Sequence, residues 1–129
     1  MTITRIDQGS RMSQAVIHGD TIYLAGQVGT PGTSVTEQTR EVLSKVESLL
    51  ERVGSSKNHL LSATIWLADM VDFADMNAVW DDGITDFPAP APATGEAKQA
   101  TPEHSEGLSL SGVFAFYQRS KAGTPLRQR

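Results

Sequence analysis

Histidine is the side chain whose charge changes near neutral pH, and the chain has three: His18, His59 and His104. No two stand at the H-x-H, H-x-x-x-H or HExxH spacing that brings paired imidazoles onto one metal ion. His18 falls in a turn, His59 follows the loop behind the first long helix, and His104 follows Pro102-Glu103. All three are therefore expected at the surface, and no metal site is expected. The carboxylates gather in two places. Asp69, Asp72 and Asp75 lie at i, i+3 and i+6 near a helix start, where acids complement the positive end of the helix dipole. Asp81, Asp82 and Asp86 read as a solvated helix end. Gly26-Gln27-Val28-Gly29 falls short of the G-x-G-x-x-G spacing of a dinucleotide turn, and no P-loop lysine follows it. With no cysteine in the chain, disulfides, thiolate zinc sites, iron–sulfur clusters and cysteine nucleophiles are excluded. Taken one residue at a time, these groups form no self-evident catalytic set.

Periodicity locates the elements that must position them. The alternation in residues 2–6 predicts a short strand. Residues 13–17 and 21–25 predict two more, joined by the turn residues His18-Gly19-Asp20. Residues 26–33 contain Gly26, Gly29, Pro31 and Gly32 and predict a loop. Ser34-Val35-Thr36-Glu37 is a capping box. Behind it Val42, Leu43, Val46, Leu49, Leu50 and Val53 form one apolar stripe on a helix, which Gly54 suits as a left-handed cap. Residues 60–67 are apolar and β-branched and predict a buried strand. Asp69 is placed to cap a second helix through Trp80, with Phe73, Met76 and Trp80 on one face. In residues 87–93 every second residue is proline, which favours an extended or edge conformation because proline has no amide to give a ladder. Residues 94–97 and 108–116 predict further strands. The order points to an α+β fold, one sheet with two helices packed on one face.

The 129 residues suit one domain, expected over 1–118, with a basic tail over 119–129 expected to be disordered. The longest apolar stretch, residues 60–68, is far short of the about 20 residues of a spanning helix. The start MTITRIDQGS lacks the apolar core of a signal peptide, so a cytoplasmic protein without membrane contact is expected. The net charge of −4 conceals an asymmetry. Residues 1–106 hold all 15 acids against seven Lys and Arg, while the last 23 residues hold four cations and no acid. An acidic body argues against nucleic acid as a partner, since that affinity rests largely on cations neutralising phosphates.

Several stretches together resemble the YjgF/Rid family, the reactive-intermediate deaminases, also known as endoribonuclease L-PSP or translation-inhibitor-like proteins. Met12-Ser13-Gln14-Ala15-Val16, then Gly19-Asp20 and Tyr23-Leu24-Ala25-Gly26-Gln27-Val28, are similar to the family's "YSQAV…GD…SGQ" opening. Gln38-Thr39, the helix behind it and Gly54 resemble its "QT…L..I…L…G". Thr64, Trp66, Leu67, Asp69, Asp72-Phe73, Met76-Asn77 and Trp80 resemble "T.(F/W)L.D..DF..(M/V)N..(W/Y)". Residues 90–97, PAPATGEA, are similar to "PARATxEA". The match runs in order over about residues 1–104.

The resemblance implies a chorismate-mutase-like α+β fold, a homotrimer with ligand sites between subunits, and a small carboxylate-bearing ligand. The reaction it implies is hydrolysis of enamines and imines, such as 2-aminoacrylate and 2-iminopropionate, to keto acids and ammonia, without metal or organic cofactor. The residues it points to are Met12, Ala25, Gly26, Gln27, Pro92, Ala93 and Thr94 for the ligand, with Glu106 as the nearest counterpart of the family's terminal carboxylate. Some positions depart from the pattern. Where the family has its carboxylate-clamping arginine this chain has Pro92, and two hydroxyls of the usual pocket are replaced by Met12 and Ala25. Arg11 lies in the loop leading to the pocket and offers a guanidinium in the arginine's place. Gly83 stands where an apolar residue would help the second helix to pack. A non-catalytic trimer that binds 2-keto acids is the alternative implied by Pro92.

Overall fold

The structure, a computed structural model, describes residues 2–83, 91–96 and 110–118. His104, Glu106, Asp86, residues 87–90 and the tail from 119 lie outside them. Strands β1 (Ile3–Ile6), β2 (Ala15–His18) and β3 (Thr21–Gln27) form an antiparallel meander. Helix α1 (Val35–Arg52), strand β4 (Leu60–Leu67), helix α2 (Phe73–Gly83), and strands β5 (Ala91–Glu96) and β6 (Leu110–Gln118) follow. The sheet order is β1-β2-β3-β6-β4-β5. β5 runs parallel to β4 and every other pair is antiparallel, so the sheet is mixed. The last strand is inserted between β3 and β4.

Period-two burial along the strands meets period-3.6 burial on α1. Ala15 and Ile17 of β2, Ile22 and Leu24 of β3, Ala63, Ile65 and Leu67 of β4 and Tyr117 of β6 turn to one face. There they pack with Val42, Val46, Leu49, Leu50 and Val53 at α1 and with Met76 and Trp80 of α2. Burial alone pushes the Tyr117 phenol far above its ordinary pKa. The opposite face carries no helix among the described residues, and Tyr23 and Trp66 lie exposed on it. β4, expected as a buried strand, buries Ala63, Ile65 and Leu67 on the helix-covered face and leaves Trp66 exposed on the other.

The ends of α1 follow local chemistry. Ser34 Oγ accepts from the Glu37 N–H at 3.1 Å. At the other end Gly54 takes a φ of 74°. Ser55 N–H donates to Leu50 O at 2.9 Å and Gly54 N–H to Glu51 O at 3.5 Å, a Schellman closure.

Several boundaries differ from the sequence reading, each for a local reason. β2 begins at Ala15, because Ser13 and Gln14 close a loop. His18 ends β2, paired with Thr21, and does not lie in the turn. Asp69 caps a short 3-10 turn, Met70–Asp72, so α2 starts only at Phe73 and runs on to Gly83. Phe73 keeps its i, i+3, i+7 spacing with the buried Met76 and Trp80 but, in the first turn, is 39% exposed. A Cβ on Gly83 would lie 3.0 Å from Leu43 Cδ1, so α1 already fills the space an apolar residue would have taken. β5 begins inside the proline run, at the sheet edge where a missing amide is tolerated.

Candidate functional site

The hairpin between β2 and β3 closes one end of the sheet. At the other end β2 and β6 begin, β3, β4 and β5 end, and loops 7–14 and 28–33 flank the strands. Loop 7–14 carries Arg11 and Met12, both exposed. Its mouth is drawn together by Gln14 N–H donating to Ile6 O at 2.9 Å, and Gly9 N–H donates to Met12 O at 2.7 Å within it. Asp7 opens the loop in the left-handed region at φ 52°. Its carboxylate takes both guanidinium arms of Arg52, Nη1 at 2.5 Å and Nη2 at 2.9 Å. This bidentate fork fixes direction as well as distance, and the bond to Asp7 raises the Arg52 pKa further.

β3 does not stop at Ala25. Leu24 pairs with Ala115 and Gln27 with Val113, so Ala25 and Gly26 together oppose one residue of β6. This β-bulge shifts the alternation by one place and re-aims the next side chain. Gln27, which an unbroken strand would turn to the open face, returns to the helix-covered face and is 8% exposed. Its Nε2 donates to Gln14 Oε1 at 3.0 Å and to Ala25 O at 3.1 Å. Both amide hydrogens are occupied, so the Gln27 side chain braces the bulge and has no N–H left for a ligand. What this end offers is the bulged backbone at Ala25 and Gly26.

On the far side of the sheet Pro92, Ala93 and Thr94 pair with Ala63, Thr64 and Ile65 of β4. Among the described residues two contacts hold this edge strand besides its ladder. The Trp66 ring lies over Gly95, where a Cβ would meet Cζ3 at 2.6 Å. Glu96 Oε1 accepts from the Met70 N–H at 3.0 Å.

Register then measures the gap between the two groups. Gln27, Val113, Ile65 and Thr94 form one row across four strands. Ala15, Leu24, Ala115, Ala63 and Pro92 form another across five. At about 4.8 Å per strand these rows span about 14 and 19 Å along the sheet. The bulge at Ala25 and Gly26, and the start of β2 behind loop 7–14, are therefore three to four strand spacings from residues 92–94 of the same chain. Among the described residues no three His, Asp or Glu side chains converge on a point that could hold a metal ion. A polar groove between the helices, lined by Thr36, Arg40, Asp75, Ala78, Val79 and Asp82, contains none of the candidate residues.

The sequence model of the family described as endoribonuclease L-PSP matches residues 2–105. The chain belongs to the YjgF/RutC family. A RutC family protein of Haemophilus influenzae is 44% identical over 104 residues, covering 79% of this chain and 90% of that protein. The RutC family protein YoaB of Escherichia coli is 40% identical over 110 residues, covering 85% and 96%. A crystal structure of a YjgF family member from Neisseria meningitidis superposes with a TM-score of 0.82 at 34% identity, covering 95% of this chain and 98% of that one. Yeast Mmf1, at 20% identity, shares the fold with a TM-score of 0.81. The fold is thus the chorismate-mutase-like α+β fold of the YjgF family. No helix among the described residues is long and apolar enough to cross a membrane.

The sequence reading passed over the groups that hold this site. Asp7 and Arg52 are 45 residues apart, and pairing at that separation leaves no periodic trace. A second set, Gln38, Glu41 and Lys45 on α1, stands at a visible helical spacing.

Proposed function

We propose that the protein binds small 2-keto acids, or the imines and enamines that hydrolyse to them, in a cleft completed by another copy of the chain in a homotrimer, without a metal or organic cofactor. The separation of the two candidate groups carries this reading. Residues that the family pattern assigns to one ligand lie about 14–19 Å apart along a single sheet, so a second copy must supply one side of the cleft. The open sheet face, with Tyr23 and Trp66 exposed on it, supports self-association, since exposed apolar surface of this kind marks interaction sites.

The chemistry asked of such a cleft is modest. Water adds to the imine carbon, the nitrogen gains protons and leaves as ammonia, and a keto acid remains. A cation must hold the substrate carboxylate while backbone amides, here those at the bulge, orient the water. Pro92 has no charge and no N–H. Arg11 of a neighbouring copy is the nearest chemically equivalent donor on the loops of the opposite group.

The test is release of ammonia and keto acid from freshly generated 2-iminopropionate, for this chain beside Pro92→Arg, with pyruvate binding and the mass in solution measured on both. Turnover by the chain itself makes it a deaminase clamped from elsewhere, and loss of that turnover in Arg11→Ala would name the clamp. Turnover by Pro92→Arg alone identifies a deaminase scaffold that now only binds. A monomer that binds no pyruvate sinks the proposal.

A further inference from the structure

Helix α1 carries a second stripe beside its apolar one. Gln38, Glu41 and Lys45 fall at i, i+3 and i+7, neighbours along one flank of the helix. All three reach the same loop. Gln38 Nε2 donates to Thr33 O at 2.8 Å. Glu41 Oε1 accepts from the Thr30 N–H at 2.9 Å and from its hydroxyl at 2.8 Å. Lys45 Nζ donates to Val28 O at 2.8 Å and pairs with Glu41 at 3.3 Å. The loop is also turned upon itself, Thr33 Oγ1 donating to Thr30 O at 2.8 Å with Gly32 at a φ of 87°. Beneath it Gly29 presses on the helix so closely that a Cβ there would lie 2.8 Å from Gln38 Cα.

Resting on the ligand reading above, we infer that Gln38, Glu41 and Lys45 are positioning residues that latch residues 28–33 to α1 as one rigid wall of the ligand cleft. The loop leaves β3 directly after the bulge, so its tether sets where the bulged backbone points. A trans peptide directs its C=O and the following N–H to opposite sides. Lys45 draws the Val28 carbonyl toward α1 and thereby turns the Gly29 N–H the other way. Two fixed carbonyls and one fixed amide leave the loop a single arrangement, which is what binding without an ordering cost requires.

The experiment compares Glu41→Ala and Glu41→Gln with the unaltered protein. Glu41 is a partly exposed helix residue, so alanine preserves the fold, and glutamine restores an acceptor without its charge. Amide exchange of Thr30 should quicken by about tenfold in Glu41→Ala and less in Glu41→Gln, with Ile22 and Ile65 unchanged. Pyruvate should bind several-fold more weakly in the same order. Unchanged exchange at Thr30 overturns the latch. A loosened loop with unchanged pyruvate affinity overturns its positioning role. If the unaltered protein binds no pyruvate, the ligand reading falls, and exchange at Thr30 still decides whether the loop is latched.

Discussion

The two sides of the candidate cleft are built in different ways. The end of β3 is held on every side: by the ladder to β6, by Gln14 and Gln27 bracing the bulge, and by three side chains of α1 gripping the following loop. β5 has one ladder, to β4, and its outer edge faces no strand of the described sheet. Among the described residues a ring lying on Gly95 and one carboxylate on Met70 add to its support. The braced side works through backbone, which any sequence supplies once the shape is kept. The edge side is where the resemblance would put a carboxylate-clamping arginine, and there the chain has Pro92. A fold that stores geometry in backbone and charge in one side chain can lose the second and keep the first.

The largest effect should come from restoring the charge. Pro92→Arg should tighten pyruvate binding by about tenfold to hundredfold, the scale of a charge-assisted pair, as read by calorimetric titration. An unchanged affinity would mean that the edge side no longer forms part of the cleft.

Next come two glycines that test rigidity on each side. Gly29→Ala would force a Cβ into the backbone of Gln38 and should cost about 1–3 kcal/mol, seen as a lower urea midpoint. Gly95→Ala meets only the rim of the Trp66 ring, which can swing aside, so its cost should be nearer 1 kcal/mol and should shrink when combined with Trp66→Leu. Equal costs would remove the contrast between a braced and a lightly held side.

The smallest effect is a pH dependence confined to the braced side. Hydrogen bonds from the Thr30 hydroxyl and N–H, then Lys45, hold the Glu41 carboxyl below its ordinary value of 4.5. A group depressed in the folded state stabilises it fully above its unfolded pKa, and that contribution fades as pH falls through the folded value. Protection of the Thr30 amide, its exchange measured against the intrinsic rate at each pH, should therefore fall on acidification below the ordinary carboxylate range while protection of Gly95 does not. Loss of protection at both together would point to general unfolding.

Much of this was legible in the sequence because it is local. The capping box, the apolar stripe of α1, the left-handed Gly54 and the alternation of the first three strands each depend on neighbours a few residues apart. The bulge was not legible, since Gly26 reads equally well as the start of a loop, and only the register against β6 shows the extra residue. Phe73 shares the face of Met76 and Trp80 as its spacing indicated, but its exposure was not legible, because the 3-10 turn makes it the first residue of α2. For the site, residue types were readable by resemblance. Their separation on the sheet was not, because it depends on where β6 inserts. The latch on α1 had a spacing in plain view, but polar residues at helical intervals mean nothing until a loop lies over them.

The insertion of β6 also sets a timetable for synthesis. β1, β2 and β3 can zip together as soon as they emerge, and β4 can find β5, yet these are two separate ribbons with a gap between them. The strand that joins them ends at Gln118 and is the last of the described elements to be made. Until then β3 and β4 each present a naked edge, the kind of edge that pairs with other chains. The nascent protein is most vulnerable in the interval before β6 emerges, and any change that spoils β6 leaves two open ribbons where one sheet should be.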